Sequence, residues 1–262
     1  MLWNITAAMS EKLAAQILRR KSFRSFRQDP LDEALMEELV DFLSDLTPPE
    51  PDIDWNFDTL PYLDMVKICA TEPGIKAPCY LLLRAERKRF SLQNCGYLGE
   101  MAVLWLTARN VATCWQGSVS ISRESDFLES LPFVSAVALG YSDEPFRESA
   151  SEFDRLPYDK LVYNREEAYR PILELGRLAP SSFNRQPCVF VSDDRKRIHL
   201  YRRQKLFANP VTEFEQCVDA GVAMAHLEVG AREAGFGAKI QRLYPAPRFK
   251  RNLAYQASVV LE

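Results

Sequence analysis

The 262-residue sequence has few of the side chains that metal centres and hydrolytic sites need. It contains two histidines, His199 and His226, and its six cysteines include no Cys-x-x-Cys pair. A zinc site or a thioredoxin-like motif is therefore unsupported, and we expect no metal. The sequence also lacks Gly-x-Ser-x-Gly, His-Glu-x-x-His and a Walker loop, which argues against serine hydrolases, zinc proteases and P-loop nucleotidases.

Long apolar runs and an excess of positive charge are missing as well. No segment approaches the ~20 apolar residues that span a bilayer, so we expect no membrane partner. The formal net charge is −3, which leaves no broad basic surface for nucleic acid. The first residues lack a basic region followed by an apolar core, as secretory signals have. We therefore expect a cytoplasmic protein with reduced, partly buried thiols.

Apolar residues are spaced as in a mixed α+β protein. Residues 11–19 and 31–46 predict helices, whereas the proline-rich residues 48–58 predict a loop. Residues 96–109 are apolar on nearly every side, which indicates a buried helix. Residues 79–84 and 134–140 predict buried strands.

This order of elements occurs twice along the chain. Residues 170–180 align with residues 38–48 at an offset of 132, and residues 221–237 align with residues 96–112 at an offset of 125. Residues 188–191 and 257–261 supply the corresponding strands in the second half. Two interpretations stay open: a single α+β domain without internal symmetry, or two related halves, 1–165 and 166–262.

Residues 178–187 carry the most distinctive pattern of the chain, Leu-Ala-Pro-Ser-Ser-Phe-Asn-Arg-Gln-Pro. It resembles the Ala-Pro-Ser-Ser-x-Asn-x-Gln-Pro signature of the nitroreductase family of FMN-dependent oxidoreductases. In that family the segment lies in the first third of a domain, whereas here it begins two thirds along the chain. The resemblance therefore implies a fused pseudo-dimer with a nitroreductase-like α+β fold. Each half would have a small sheet flanked by helices, with the flavin at the interface between the halves.

Residues 19–26, Arg-Arg-Lys-Ser-Phe-Arg-Ser-Phe, resemble the family's Arg-Arg-Ser-x-Arg-x-Phe opening. The resemblance implies that these residues bind the doubly charged FMN phosphate through charge-assisted hydrogen bonds. The FMN ligands predicted from this segment are Arg20, Lys21, Ser22 and Arg24. The alternative is a solvated basic segment that follows a helix.

A further phosphate ligand is expected at Arg155. Its place resembles the Arg of the family's Lys-x-Arg-x-Pro segment, in which the Lys is replaced here by Phe153. We expect one phosphate contact to be missing for that reason, and whether FMN binding is weakened stays open. Arg147 is a candidate substitute that the sequence cannot place.

Two segments resemble those that approach the flavin ring in the family. Residues 113–118, Thr-Cys-Trp-Gln-Gly-Ser, resemble Gly-Leu-Gly-Thr-Cys-Trp-Ile-Gly, and backbone N–H groups of Gln116 and Gly117 are expected at the ring. The second half would contribute Pro180, Ser181, Ser182 and Asn184. The flavin performs the chemistry in such enzymes, so no catalytic side chain is required. The alternative for residues 178–187 is an ordinary helix-capping loop.

The retained motifs are complementary, which predicts one FMN per chain and a monomer with an internal pseudo-dimer; further dimerisation stays open. The expected activity is hydride transfer from NAD(P)H to FMN, followed by electron transfer to a small acceptor such as a nitroaromatic or a quinone. One alternative is a specialised FMN reductase or dehydrogenase with a narrow substrate, and another is a non-catalytic flavin-binding protein. Residues 48–64, with Trp55 and Phe57, are either a substrate lid or a packed surface loop.

Overall fold

The computed structural model describes residues 7–117, 119–122, 131–164, 166–204 and 209–262, with side chains from residue 13 onward. The helices are α1 (Ala7–Arg19), α2 (Glu33–Asp45), α3 (Tyr62–Ile68), α4 (Ser91–Ala108), α5 (Tyr158–Leu161), α6 (Arg170–Arg177) and α7 (Pro210–Glu233). The strands are β1 (Trp55–Pro61), β2 (Cys79–Ala85), β3 (Ala112–Gln116), β4 (Phe133–Gly140), β5 (Val162–Tyr163), β6 (Cys188–Asp193), β7 (Arg197–Arg203), β8 (Ala238–Gln241) and β9 (Leu253–Leu261). No described helix is both long enough and apolar enough to cross a membrane.

The strands form two separate sheets within the described residues, which confirms the expected α+β class. The first sheet has the order β1-β2-β4-β3 and is antiparallel throughout. The second has the order β5-β6-β7-β9-β8, and only the short β5 pairs in parallel with its neighbour. The first sheet therefore uses residues 55–140 and the second uses residues 162–261. The division of the chain into two related halves stays a prediction.

Helices α4 and α7 cross in the centre of the molecule, where both are buried over most of their length. A Cβ atom placed on Gly96 would lie 2.1 Å from the carbonyl oxygen of Val218, and one on Gly221 would lie 1.9 Å from that of Gln93. Both distances are far below contact, so only glycine fits at either position. The contacts are reciprocal, because residues 93 and 218 are separated by the same 125 positions as residues 96 and 221.

Two sequence predictions were wrong at particular boundaries. The predicted loop 48–58 ends early, because β1 begins at Trp55 and pairs with β2 along its whole length. Trp55 and Phe57 stack on each other and pack against the core, so residues 55–61 form a sheet edge and not a lid. Helix α7 begins at Pro210, eleven residues before the aligned segment, and the Asn209 side chain caps it by accepting from the N–H of Val211 at 3.0 Å.

Candidate functional site

One large cavity, with a volume of about 1600 Å³, lies between residues of the two sheets and their helices. It exceeds the roughly 300–1000 Å³ of ordinary small-molecule pockets. All of the residues that the sequence assigns to a flavin line it: Arg20, Lys21, Ser22, Arg24, Gln116, Gly117, Arg155, Pro180, Ser181, Ser182 and Asn184. The structure thus brings together segments that are up to 164 positions apart in the sequence, while their role as cofactor ligands stays a prediction.

The chain after α1 is held along strand β3, which places its basic residues at one end of the cavity. Ser22 forms a parallel bridge with Thr113, and the N–H of Phe23 donates to the carbonyl oxygen of Thr113 at 3.0 Å. Arg20 is consequently only 3% exposed. Lys21 forms an ion pair with Glu144 at 3.0 Å.

Arg147, which the sequence could not place, joins this basic end. Its backbone N–H donates to the carbonyl oxygen of Arg19 at 3.1 Å, and its Nη1 donates to that of Arg20. The guanidinium lies 4.1 Å above the ring of Phe153, a cation–π contact. Phe153, which stands where the family pattern has a lysine, therefore supports an arginine that lines the cavity.

Arg155 is the most electrostatically strained member of the basic end. Its Nη1 donates to Oδ1 of Asn184 at 2.9 Å and its Nη2 to the carbonyl oxygen of Leu178 at 3.1 Å. Its Nε is buried and has no hydrogen-bond partner within the residues that the structure describes. Burial is the main cause that lowers the pKa of Arg155 to about 10, and repulsion by Arg20 and Arg147 adds to the shift. Three neighbouring guanidiniums with an unsatisfied donor form a site that fits a multiply charged anion.

Another part of the cavity lining is formed where β3 ends. Gln116 is fixed by a hydrogen bond from its Nε2 to the carbonyl oxygen of Cys114 at 3.0 Å. Gly117 lies against the loop that follows α6 and against α7. A Cβ atom on it would lie 3.5 Å from Oγ of Ser182 and 4.0 Å from Oε1 of Glu215. Ser118, the last residue of the predicted motif, lies outside the described residues.

The loop that follows α6 is ordered by its own polar side chains. Oγ of Ser181 accepts from the N–H of Gln186 at 2.8 Å. Nδ2 of Asn184 donates to the carbonyl oxygen of Asp154 at 3.1 Å, while its Oδ1 accepts from Arg155. Asn184 therefore joins this loop to the basic end, so its side chain is already engaged by protein groups.

The sequence analysis missed two buried carboxyl groups: Glu100, behind residues that line the cavity, and Asp219, which is itself part of the lining. Glu100, on α4, accepts from Nε1 of Trp115 at 2.9 Å and lies 2.9 Å from Nε2 of His226. Its oxygen is also 3.7 Å from Nε of Arg20. Burial alone would raise the pKa of Glu100, but Arg20, His226 and the Trp115 hydrogen bond outweigh it and lower the pKa.

The second carboxyl group belongs to Asp219 on α7. Its Oδ1 accepts from the backbone N–H of Ser182 at 2.8 Å, whereas its Oδ2 is buried and meets no hydrogen-bond partner in the described part of the chain. Burial is the main cause that raises the pKa of Asp219 to about 8. Neither Glu100 nor Asp219 belongs to a local sequence motif, because only the fold brings each of them near the residues that it contacts.

Comparison with known proteins gives one family and a set of related folds. Residues 12–231 match a family model described as "Putative TM nitroreductase". A crystal structure from Thermotoga maritima, described as a putative nitroreductase, has a TM-score of 0.64 at 22% identity and covers 95% of this chain and 92% of that chain. An FMN-bound nitroreductase of Desulfitobacterium hafniense has a TM-score of 0.42 at 14% identity and covers 56% of this chain and 98% of its own. No curated protein matches the sequence.

Proposed function

The chain belongs to the nitroreductase family, and from this premise we propose that it is an FMN-dependent oxidoreductase. It would take a hydride from NAD(P)H and pass electrons to a small acceptor such as a nitroaromatic or a quinone. The observation that carries the proposal is the cluster of the buried Arg20 with the half-buried Arg147 and Arg155, which line a cavity large enough for a cofactor and a second ligand.

The basic end is proposed to bind the FMN phosphate. Arg155 offers a buried Nε–H without a partner, and a phosphate oxygen there would relieve both the missing hydrogen bond and the repulsion among the guanidiniums. Lys21, Ser22 and Arg24 lie on the same wall and add donors. Arg147 would supply the phosphate contact that a lysine at the position of Phe153 would otherwise make.

The end near Gly117 is proposed to hold the flavin ring, which supplies the hydride chemistry when FMN is bound. Backbone N–H groups of Gln116 and Gly117 would stabilise negative charge on the ring. Ser182, in the loop that follows α6, lies close to Gly117 and narrows the cavity there. The exposed side chains of Phe183, Val211 and Phe214 at the cavity rim would give a planar substrate an apolar contact surface.

We further propose that the two related halves, 1–165 and 166–262, form one site within one chain. The reciprocal contacts of Gly96 and Gly221 support this division, as does a cavity that is lined from both halves. One FMN per monomer follows, and a second chain would not be needed to complete the site. The partners are then small molecules.

An anaerobic absorbance titration of the purified protein with NADH and with NADPH tests the proposal. We expect flavin bands at one per chain that bleach when at least one nicotinamide is added. Two flavins per chain would contradict the single site, whereas flavin that neither nicotinamide bleaches would favour a binding role or another electron donor. A protein that takes up no FMN would refute the function.

A further inference from the structure

Helices α4 and α7 use equivalent positions to hold equivalent loops. Oδ1 of Asn94 accepts from the backbone N–H of Glu50 at 3.1 Å, just as Oδ1 of Asp219 accepts from that of Ser182 at 2.8 Å. Residues 94 and 219 are separated by 125 positions and residues 50 and 182 by 132, which are the two offsets that align the halves. The chain thus contains the same loop anchor twice.

The two anchors differ in the second polar atom of the side chain, which is Nδ2 in Asn94 and Oδ2 in Asp219. Nδ2 of Asn94 donates to the carbonyl oxygen of Glu50 at 2.8 Å, so the whole amide is satisfied. The corresponding atom of Asp219, Oδ2, is buried and has no hydrogen-bond partner among the described residues, and the whole residue is only 6% exposed. Holding the loop requires one acceptor oxygen, and an amide provides it at position 94. The loop anchor therefore does not explain a carboxyl group at position 219, beside the cavity.

The surroundings of Asp219 favour a carboxyl group that carries a proton. Burial raises its pKa to about 8, with repulsion by Glu215 adding to the shift, while the Ser182 N–H and Arg185 oppose it. Glu215 is ion-paired with Arg185, so the charges nearest Asp219 largely balance. On the side of β6, the thiol of Cys188 donates to the backbone carbonyl of Asp219 at 3.8 Å and brings no charge. Burial also raises the pKa of the neighbouring Cys217 thiol.

We propose that Asp219 is a positioning residue that holds the Ser182 loop against the ring end of the cavity and, on losing its proton, places there a negative charge that opposes electron uptake. This inference rests on the proposed flavin function. The proton leaves to solvent, and the electrons come from the nicotinamide donor. By linkage, electron uptake by the site raises the affinity of Asp219 for its proton, so the reduced site binds one more proton at alkaline pH.

The experiment measures the reduction potential of the bound FMN from about pH 6 to about pH 10 in the wild type and in D219N. We expect the two potentials to coincide at the acidic end, where both side chains are neutral. Above about pH 8 the wild-type potential should fall below that of the variant, because only the wild type gains a charge. Potentials that run parallel over the whole range would overturn the proposal.

N94D is the matched control, because it puts a carboxyl group at the equivalent anchor away from the residues that line the cavity. Its potential should follow the wild-type dependence on pH, even if the lost amide bond to Glu50 lowers its stability. D219N should fold and keep the wild-type affinity for FMN at about pH 6 to within about threefold. A D219N protein that does not fold would contradict the equivalence of the two anchors.

A second measurement separates this inference from the flavin function. The ¹³C carboxyl resonance of Asp219, assigned by its absence in D219N, is titrated in protein without FMN. We expect a midpoint near pH 8, and a midpoint below about pH 5 would overturn the inference whatever the cofactor does. If the protein takes up no FMN, the proposed function fails and the charge effect on the site fails with it. The midpoint then still decides whether Asp219 holds a proton.

Discussion

Oε1 of Glu100 lies 2.9 Å from Nε2 of His226, and neither side chain is exposed. Nδ1 of His226 lies 3.0 Å from the carbonyl oxygen of Leu175, which can only accept, so Nδ1 carries a proton. The contact with Glu100 then places another proton between Nε2 and Oε1. Because Glu100 also contacts Trp115 and Arg20, this one carboxyl group links α4 and α7 to strand β3 and to the segment that follows α1.

The first prediction concerns the removal of that charge. E100Q leaves the buried Arg20 without its counter-charge and removes the carboxylate that His226 and Trp115 contact, so we expect the free energy of unfolding at pH 7 to fall by about 2–4 kcal/mol. The lowered pKa of Glu100 means that its stabilisation is present above the unfolded pKa, near 4.5, and is lost as the pH falls through the lower folded value. The difference between wild type and E100Q should therefore shrink in acid.

Chemical denaturation at several pH values measures this difference. E38Q is the control, because Glu38 forms an exposed ion pair with Arg109 and its loss should change the unfolding free energy by less than about 1 kcal/mol. An E100Q protein as stable as the wild type at pH 7 would show that the buried network does not hold the helices together.

The second prediction concerns the helix crossing. G96A and G221A each place a methyl group about 2 Å from a backbone carbonyl oxygen, and α4 and α7 have to separate to admit it. We expect a loss of about 3 kcal/mol or more in unfolding free energy. G74A is the control, since nothing lies within 4 Å of its added Cβ and its stability should change by about 0.5 kcal/mol at most. Equal stability of all three variants would refute the close packing.

The third prediction separates phosphate binding from ring binding. Riboflavin has the ring of FMN without its phosphate, so a variant at the basic end should lose affinity for FMN and keep its affinity for riboflavin. For R155A we expect the dissociation constant of FMN to rise about tenfold to a hundredfold, as charge-assisted hydrogen bonds are worth roughly 1.5–3 kcal/mol. K67A, which changes an exposed ion pair on α3, should alter neither constant. Equal losses for both flavins would place Arg155 elsewhere in the site.

The fourth prediction concerns the protein without cofactor. Burial first, and repulsion by neighbouring guanidiniums second, lowers the pKa of Arg147 and of Arg155, and any compact dianion should relieve that repulsion. Inorganic phosphate is therefore expected to raise the melting temperature more than chloride at equal ionic strength. R147A should lose most of this additional gain, as measured by calorimetry. A gain that is identical for both anions would indicate a general salt effect.

Much of the fold could be read from local patterns. Residues 79–84 and 134–140 predict β2 and β4 to within one residue, because each is a short apolar run. Strand β7 was missed: its sequence, Arg-Ile-His-Leu-Tyr-Arg-Arg, is half polar, and its stability comes from pairing with β6 and β9 on both sides. Strand β6 precedes β7 across a short turn, but β9 begins only at Leu253, so no local signal marks the second pairing.

The site shows the same division between local and distant information. The segments at residues 19–26 and 178–187 are recognisable because each resembles a family motif with particular residues at fixed spacing. The place of Arg147 depends on contacts with Arg20 and Phe153, and that of Asp219 depends on a loop 37 residues away in the sequence. These long-range contacts could be found only in the folded chain.

The reciprocal crossing of α4 and α7 also bears on how this molecule can change through evolution. An assembly of two identical chains carries every substitution twice, so both of its sites change together. On the proposed relation between the two halves, the equivalent places here are encoded separately and have diverged: one anchor is Asn94 and the other is Asp219. One anchor can therefore keep a purely structural role while substitutions at the other adapt it to a ligand. A symmetric pair of identical subunits cannot separate the two roles in this way.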